Sequence, residues 1–177
     1  MKKIISYITI VVAACATLSG CMPEKADTAL EYKGPTEVEF KNFTLGQLTA
    51  VLNLKGVSTV AADAQTDTTH TVLINVRTTD SLLVQLVGPQ VSTPTVITYA
   101  VRATSTAIEG THYNFSPANA RTVTIPANSS SAYILINPVA NSIPVVGNSV
   151  TLIVDLIGSG AILPSHNFKS FYDKLKR

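Results

Sequence analysis

The chain has two cysteines, no tryptophan, three histidines and few charges, and each scarcity removes a class of chemistry. Charged residues are 14% of the 177, with no basic stripe interleaved with aromatics, so nucleic acid is excluded as a partner. His70, His112 and His166 stand far apart without HxH or CxxC spacing, so no zinc site is expected. Calcium takes about six to eight oxygen ligands, several of them carboxylates. The turns offer Glu109 alone in one loop and no acid in 140–148 (ANSIPVVGN), while Asp63, Asp67 and Asp80 are assigned to other loops. Hydrolysis wants a nucleophile elbow or an acid pair; neither Gly-x-Ser-x-Gly nor a phosphate loop is present, and Gly158-Ser159-Gly160 reads as a flexible turn. The expectation is a non-enzyme with no catalytic residue, cofactor or metal; a deep pocket joining Glu109, His112 and another acid would reverse it. Without tryptophan, a sugar-stacking platform would rest on Tyr or Phe, and Tyr99 and Tyr133, both in strand patterns, read as core.

What is present begins at the amino terminus. Met1-Lys2-Lys3 is basic, Ile4 to Thr17 is apolar and uncharged, and small residues follow in Leu18-Ser19-Gly20-Cys21, the order of a secretory signal peptide. The apolar stretch is interrupted by Ser6, Tyr7 and Thr9 and is short for a membrane span, which needs about 18 residues or more. Leu-Ser-Gly-Cys resembles the lipobox of bacterial lipoproteins. That resemblance implies a diacylglyceryl thioether on Cys21, cleavage before it and acylation of the new amino terminus, which anchors the protein to a membrane. Met22, rather than Asp, then implies outer-membrane delivery by the sorting rules of diderm bacteria. Glu24, Asp27 and Glu31 resemble the acidic export signal of surface lipoproteins of Bacteroidota, with a solvated linker and a periplasmic location as the open alternative. Residues 1–20 are thus read as a removed signal, 21–35 as a lipidated flexible tether, and 36–177 as one domain. Cys15 leaves with the signal, so no disulfide can staple that domain. Lys2 and Lys3 leave too, so eleven basic residues face eleven acidic ones and the remaining chain is formally neutral.

Threonine and valine are the commonest residues, at 22 and 19, and β-branched side chains suit a half-buried pleated surface. Val38-Glu39-Phe40 opens the domain, and residues 45–60 are ambiguous between helix and strand before a polar loop at 61–69. Thr71–Arg77 alternates with Val72, Ile74 and Val76 on one face. Leu82–Val87 ends at Gly88-Pro89. Thr95–Thr104 places Ile97, Tyr99, Val101 and Ala103 inward and Arg102 outward. Further strands are read at Arg121–Ile125, Ala132–Val139 and Ser149–Ile157, punctuated by Gly, Pro, Asn and Ser. The last stretch, FKSFYDKLKR, is expected either as a short helix with Phe168, Phe171, Tyr172 and Leu175 on one side or as a segment packed on the sheet. The fold class is all-β, an antiparallel β-sandwich.

Residues 95–157 carry Ala107-Ile108-Glu109-Gly110-Thr111-His112-Tyr113, then Thr122-Val123-Thr124-Ile125-Pro126-Ala127-Asn128, then Ala132-Tyr133-Ile134-Leu135-Ile136. These resemble the Calx-β-type immunoglobulin-like module, with its A-x-x-G-x-D-Y-like turn and its strand ending in I-P-A-G. Leu86 to Gln90 (LVGPQ) adds a resemblance to Bacteroidota lipoproteins that carry such a domain, and the match covers about residues 70–160. It implies structural roles: Gly110 for a backbone conformation a Cβ resists, Tyr113 for a buried ring whose hydroxyl ties a loop to backbone, and His112, where calcium-associated members have Asp, as a loop imidazole bonded to backbone. It also implies a binding or accessory module beside glycan-import machinery, with a glycan or an outer-membrane protein as partner. The alternative is a structural spacer, adhesin-like or surface-assembly subunit pairing through an exposed edge strand.

Overall fold

Among the described residues, inward apolar side chains alternating with outward polar ones produce ten strands: β1 (Glu37–Lys41), β2 (Thr69–Leu73), β3 (Asp80–Val87), β4 (Thr95–Val101), β5 (Tyr113–Ser116), β6 (Thr122–Ile125), β7 (Ser131–Pro138), β8 (Ser149–Gly158), β9 (Leu163–Pro164) and β10 (Ser170–Lys176). The structure, a computed structural model, describes residues 34–42 and 68–177, and no helix occurs among them. The chain divides into two compact units, Met1–Lys33 and Gly34–Arg177, and all described residues belong to the second. The signal, Cys21, nearly all of the tether and the ambiguous stretch 45–60 lie outside the described residues.

Two five-stranded sheets face each other, ordered β5-β7-β3-β1-β9 and β2-β10-β8-β4-β6. Pairing is antiparallel except β1 with β9 and β2 with β10. β3 buries every second residue, placing Leu82, Val84 and Leu86 against Ile134 and Ile136 of β7 and the opposite sheet's Ile97, Leu152, Val154 and Leu156. Each such side chain taken from water contributes about 1.5–3 kcal/mol. The all-β sandwich expected from composition is the fold that forms.

Three expectations need correcting. The 71–77 strand starts two residues earlier and ends at Leu73, whose carbonyl accepts from both Val76 and Arg77 N–H, so Val76 turns outward and is exposed. β4 ends at Val101, leaving Ala103 exposed, while Arg102 turns to pair with Asp155 of β8. The 168–177 stretch is no helix: it forms β10, between β8 and β2, with Phe171, Asp173 and Leu175 inward and Tyr172 on the other face. An isolated helix of about ten residues is marginal in water, whereas both backbone edges of β10 find strand partners. The terminal segment is therefore interior to its sheet, and among the described residues the edge strands are β5 and β9 in one sheet and β2 and β6 in the other.

Candidate functional site

The chain crosses between sheets as it passes from β6 through Pro126–Ser130 into β7. β6 pairs with β4 along one edge only, and β5 covers β7 only over Leu135–Pro138. Along this flank opens a groove of about 500 Å³, lined among others by Tyr99, Pro117, Thr122, Thr124, Tyr133 and Leu135. Among the described residues that line it, none is charged. Alternation along β7 fixes the geometry: Ile134 and Ile136 point into the core, so Tyr133 and Leu135 must point out. Tyr133 is 50% exposed, which corrects the expectation that it is core, whereas Tyr99 is buried as expected. Burial pushes the Tyr99 hydroxyl up to about 12, Arg121 opposing and Glu109 adding, so it stays a neutral hydrogen-bonding group. A half-exposed aromatic ring beside hydroxyls, with no charged group among the described lining residues, suits a neutral ligand with one apolar face.

A second constellation is buried where the sheets meet. His70 of β2 and Asp173 of β10 face each other across a parallel pair, and Asp80 reaches them as the first residue of β3 in the other sheet. Asp80 therefore begins a strand and does not sit in a loop. His70 Nε2 lies 2.8 Å from Asp80 Oδ2 and 3.3 Å from Asp173 Oδ1, and all three side chains are at most 1% exposed. The Phe171 ring stands edge-on to His70 at 4.9 Å, and Phe40 packs on Phe171. At the margin, Arg77 Nε approaches Asp80 Oδ1 at 3.0 Å and donates to the Thr79 carbonyl. Burial opposes a charge on His70, but the Asp80 carboxylate, helped by Asp173, holds it up at about 10. Burial and the charge of Asp80 push Asp173 up to about 6, while Asp80 is lowered because His70 and Arg77 outweigh its burial. The His70–Asp80 contact is a hydrogen bond, yet both Asp173 oxygens and His70 Nδ1 have no hydrogen-bond partner. One donor atom from each of the three residues lies within 4.8 Å of the others, a spacing that can hold a metal ion.

The expected motif residues lie elsewhere. Gly110 has φ +80°, and Ile108 N–H donates to His112 Nδ1 at 2.9 Å, closing the turn onto its own backbone. Tyr113 is buried edge-on to Phe115, its hydroxyl raised to about 12 by burial with Glu109 adding. Glu109 pairs with Arg121 at 2.6 Å, so it does not join His112 and another acid in a pocket. His166 is exposed beside Asn167. Sequence reasoning missed Asp173, although Phe171-x-Asp173-x-Leu175 puts an acid on an apolar strand face. It missed Tyr133, although its neighbours' alternation was legible.

No protein-family profile matches the sequence, and no curated protein matches it significantly. Among solved structures, the Calx CBD1 domain in its apo form aligns with a TM-score of 0.51 at 12% identity, over 81% of this chain and 97% of that one. CBD12 from CALX1.2 aligns at 0.45 and 16% identity, covering 60% and 40%. A Bacteroides ovatus protein described as carbohydrate binding aligns at 0.43 and 14% identity, covering 56% and 31%. Two facing sheets and the alignment with the CBD1 domain give the fold, a Calx-β-type, immunoglobulin-like sandwich.

Proposed function

We propose that this chain is a non-catalytic, lipid-anchored outer-membrane protein that binds a neutral glycan in the groove between β6 and β7. The half-exposed Tyr133 ring in an uncharged, hydroxyl-bearing groove carries this reading. A pyranose offers one C–H face to an aromatic ring and hydroxyls to neutral partners around its rim, matching Tyr133 beside Thr122 and Thr124. The described residues that line the groove include no nucleophile–base pair, which supports a ligand that is held and not cleaved. Lipid on Cys21 would keep the module at the membrane, facing outward beside glycan-import machinery. The spacer or assembly reading loses one of its motives, the terminal segment, because β10 lies inside its sheet, while β2, β5, β6 and β9 remain as edges among the described residues.

The test is calorimetric titration of neutral oligosaccharides into the full chain and into Tyr133→Ala. Saturable binding that weakens about tenfold or more in the variant, with unchanged melting, supports the reading. Lack of binding across neutral glycans, or equal binding by both proteins, contradicts it. Location is read separately: Cys21→Ala should lose incorporation of labelled palmitate, and surface display predicts that protease added to intact cells cleaves the native protein.

A further inference from the structure

We propose that His70, Asp80 and Asp173 form a closed site for one zinc-class divalent cation, which ties β3 of one sheet to β2 and β10 of the other. The inference is independent of the glycan reading and rests on an imbalance of partners. Asp173 is fully buried, yet neither of its oxygens accepts a hydrogen bond. A carboxylate left so is costly, and an orphaned buried group signals a missing water or ion. The proton on His70 Nε2 cannot serve both acids. It lies along the 2.8 Å contact to Asp80 Oδ2, which leaves Asp173 Oδ1 at 3.3 Å without a hydrogen bond.

A cation bonded to Nε2, Asp80 Oδ2 and Asp173 Oδ1 would serve all three atoms at once. Loading releases the Nε2 proton to solvent and forms one metal–nitrogen and at least two metal–oxygen bonds. The second Asp173 oxygen is free to supply a further donor. An imidazole nitrogen among carboxylates selects zinc-class ions over calcium and magnesium, which take oxygen ligands. The site is closed, as structural zinc sites are: all three side chains are at most 1% exposed, and the Phe171 ring stands edge-on to His70. Arg77, at the margin, stays paired with the outer oxygen of Asp80. Such a tie would do for two sheets what a disulfide cannot do in this domain, since residues 36–177 contain no cysteine.

Elemental analysis of the purified full chain tests this, together with loading by Co²⁺, whose visible absorption reports nitrogen and oxygen ligation. The expected result is about one tightly held ion per chain, melting that falls on chelation and recovers with Zn²⁺, and a Co²⁺ band. Asp173→Asn should lower occupancy about tenfold or more, while His112→Gln leaves it unchanged. Should Asp173→Asn fail to fold, the native protein decides: melting insensitive to chelator, with no Co²⁺ band, overturns the proposal. Equal Co²⁺ uptake by native protein and a folded Asp173→Asn variant also overturns it, since the metal then sits elsewhere, as on Cys21 or a surface histidine.

Discussion

Gly158 and Gly110 both hold positive φ, at +91° and +80°, but they are not equivalent. A Cβ on Gly158 would collide with the carbonyl oxygen of Ile162, the oxygen that accepts from Ser159 N–H; a Cβ on Gly110 would meet nothing within 4 Å. Gly110→Ala should therefore cost only the torsional term, about 1 kcal/mol, and Gly158→Ala more than about 2 kcal/mol, as read by urea denaturation. The Arg102–Asp155 pair gives a pH signature at the same scale. Burial raises the Asp155 carboxyl, but hydrogen bonds from Arg102 and Ser170 outweigh it and the folded-state pKa is lowered. A lowered carboxyl stabilises the fold above its unfolded value and loses that contribution as pH falls through the folded one. The stability gap between native protein and Asp155→Asn should hold near neutrality and close as pH drops below about 4. An unchanged gap at acid pH would show that the pair carries no such linkage.

Among the elements, β10 separates what sequence reveals from what only packing decides. FKSFYDKLKR contains two periods: Phe168, Phe171, Tyr172 and Leu175 at helical spacing, and Phe171, Asp173 and Leu175 at strand spacing. The second is right, but it requires an aspartate to face the core, where β2 brings His70 to 3.3 Å from it. That partner comes from far earlier in the chain, so the choice was illegible locally. Phe171→Ala should cost about 3–5 kcal/mol, since its ring packs on both Phe40 and His70, whereas exposed Lys169→Ala should stay within about 0.5 kcal/mol. Equal losses in chemical denaturation would refute the strand assignment. The longer strands were legible because their apolar alternation and Gly-Pro or Pro-Ala-Asn stops are local signals. β9, at two residues, carries too little pattern to be read, and β5 (Tyr113–Ser116) directly follows the 107–113 turn motif that absorbed its first residue.

At the scale of the whole molecule, threonine, valine and low charge gave the all-β class, short strands with Gly, Pro, Asn and Ser stops gave the sandwich, and the turn motif at 107–113 pointed to its type. Neither candidate site was legible in the same way. The groove exists because the chain changes sheets between β6 and β7 while β5 stops short along β7, a property of topology with no local signature. The buried triad likewise gathers residues from three strands in two sheets. The central claim is that ligand enters by that flank. It is tested most directly by mapping backbone amide shifts while a neutral oligosaccharide is titrated into isotope-labelled protein. The account predicts saturable shifts concentrated at 116–124 and 131–135; shifts absent there, or confined to the loops at 75–79 and 139–148, would contradict it.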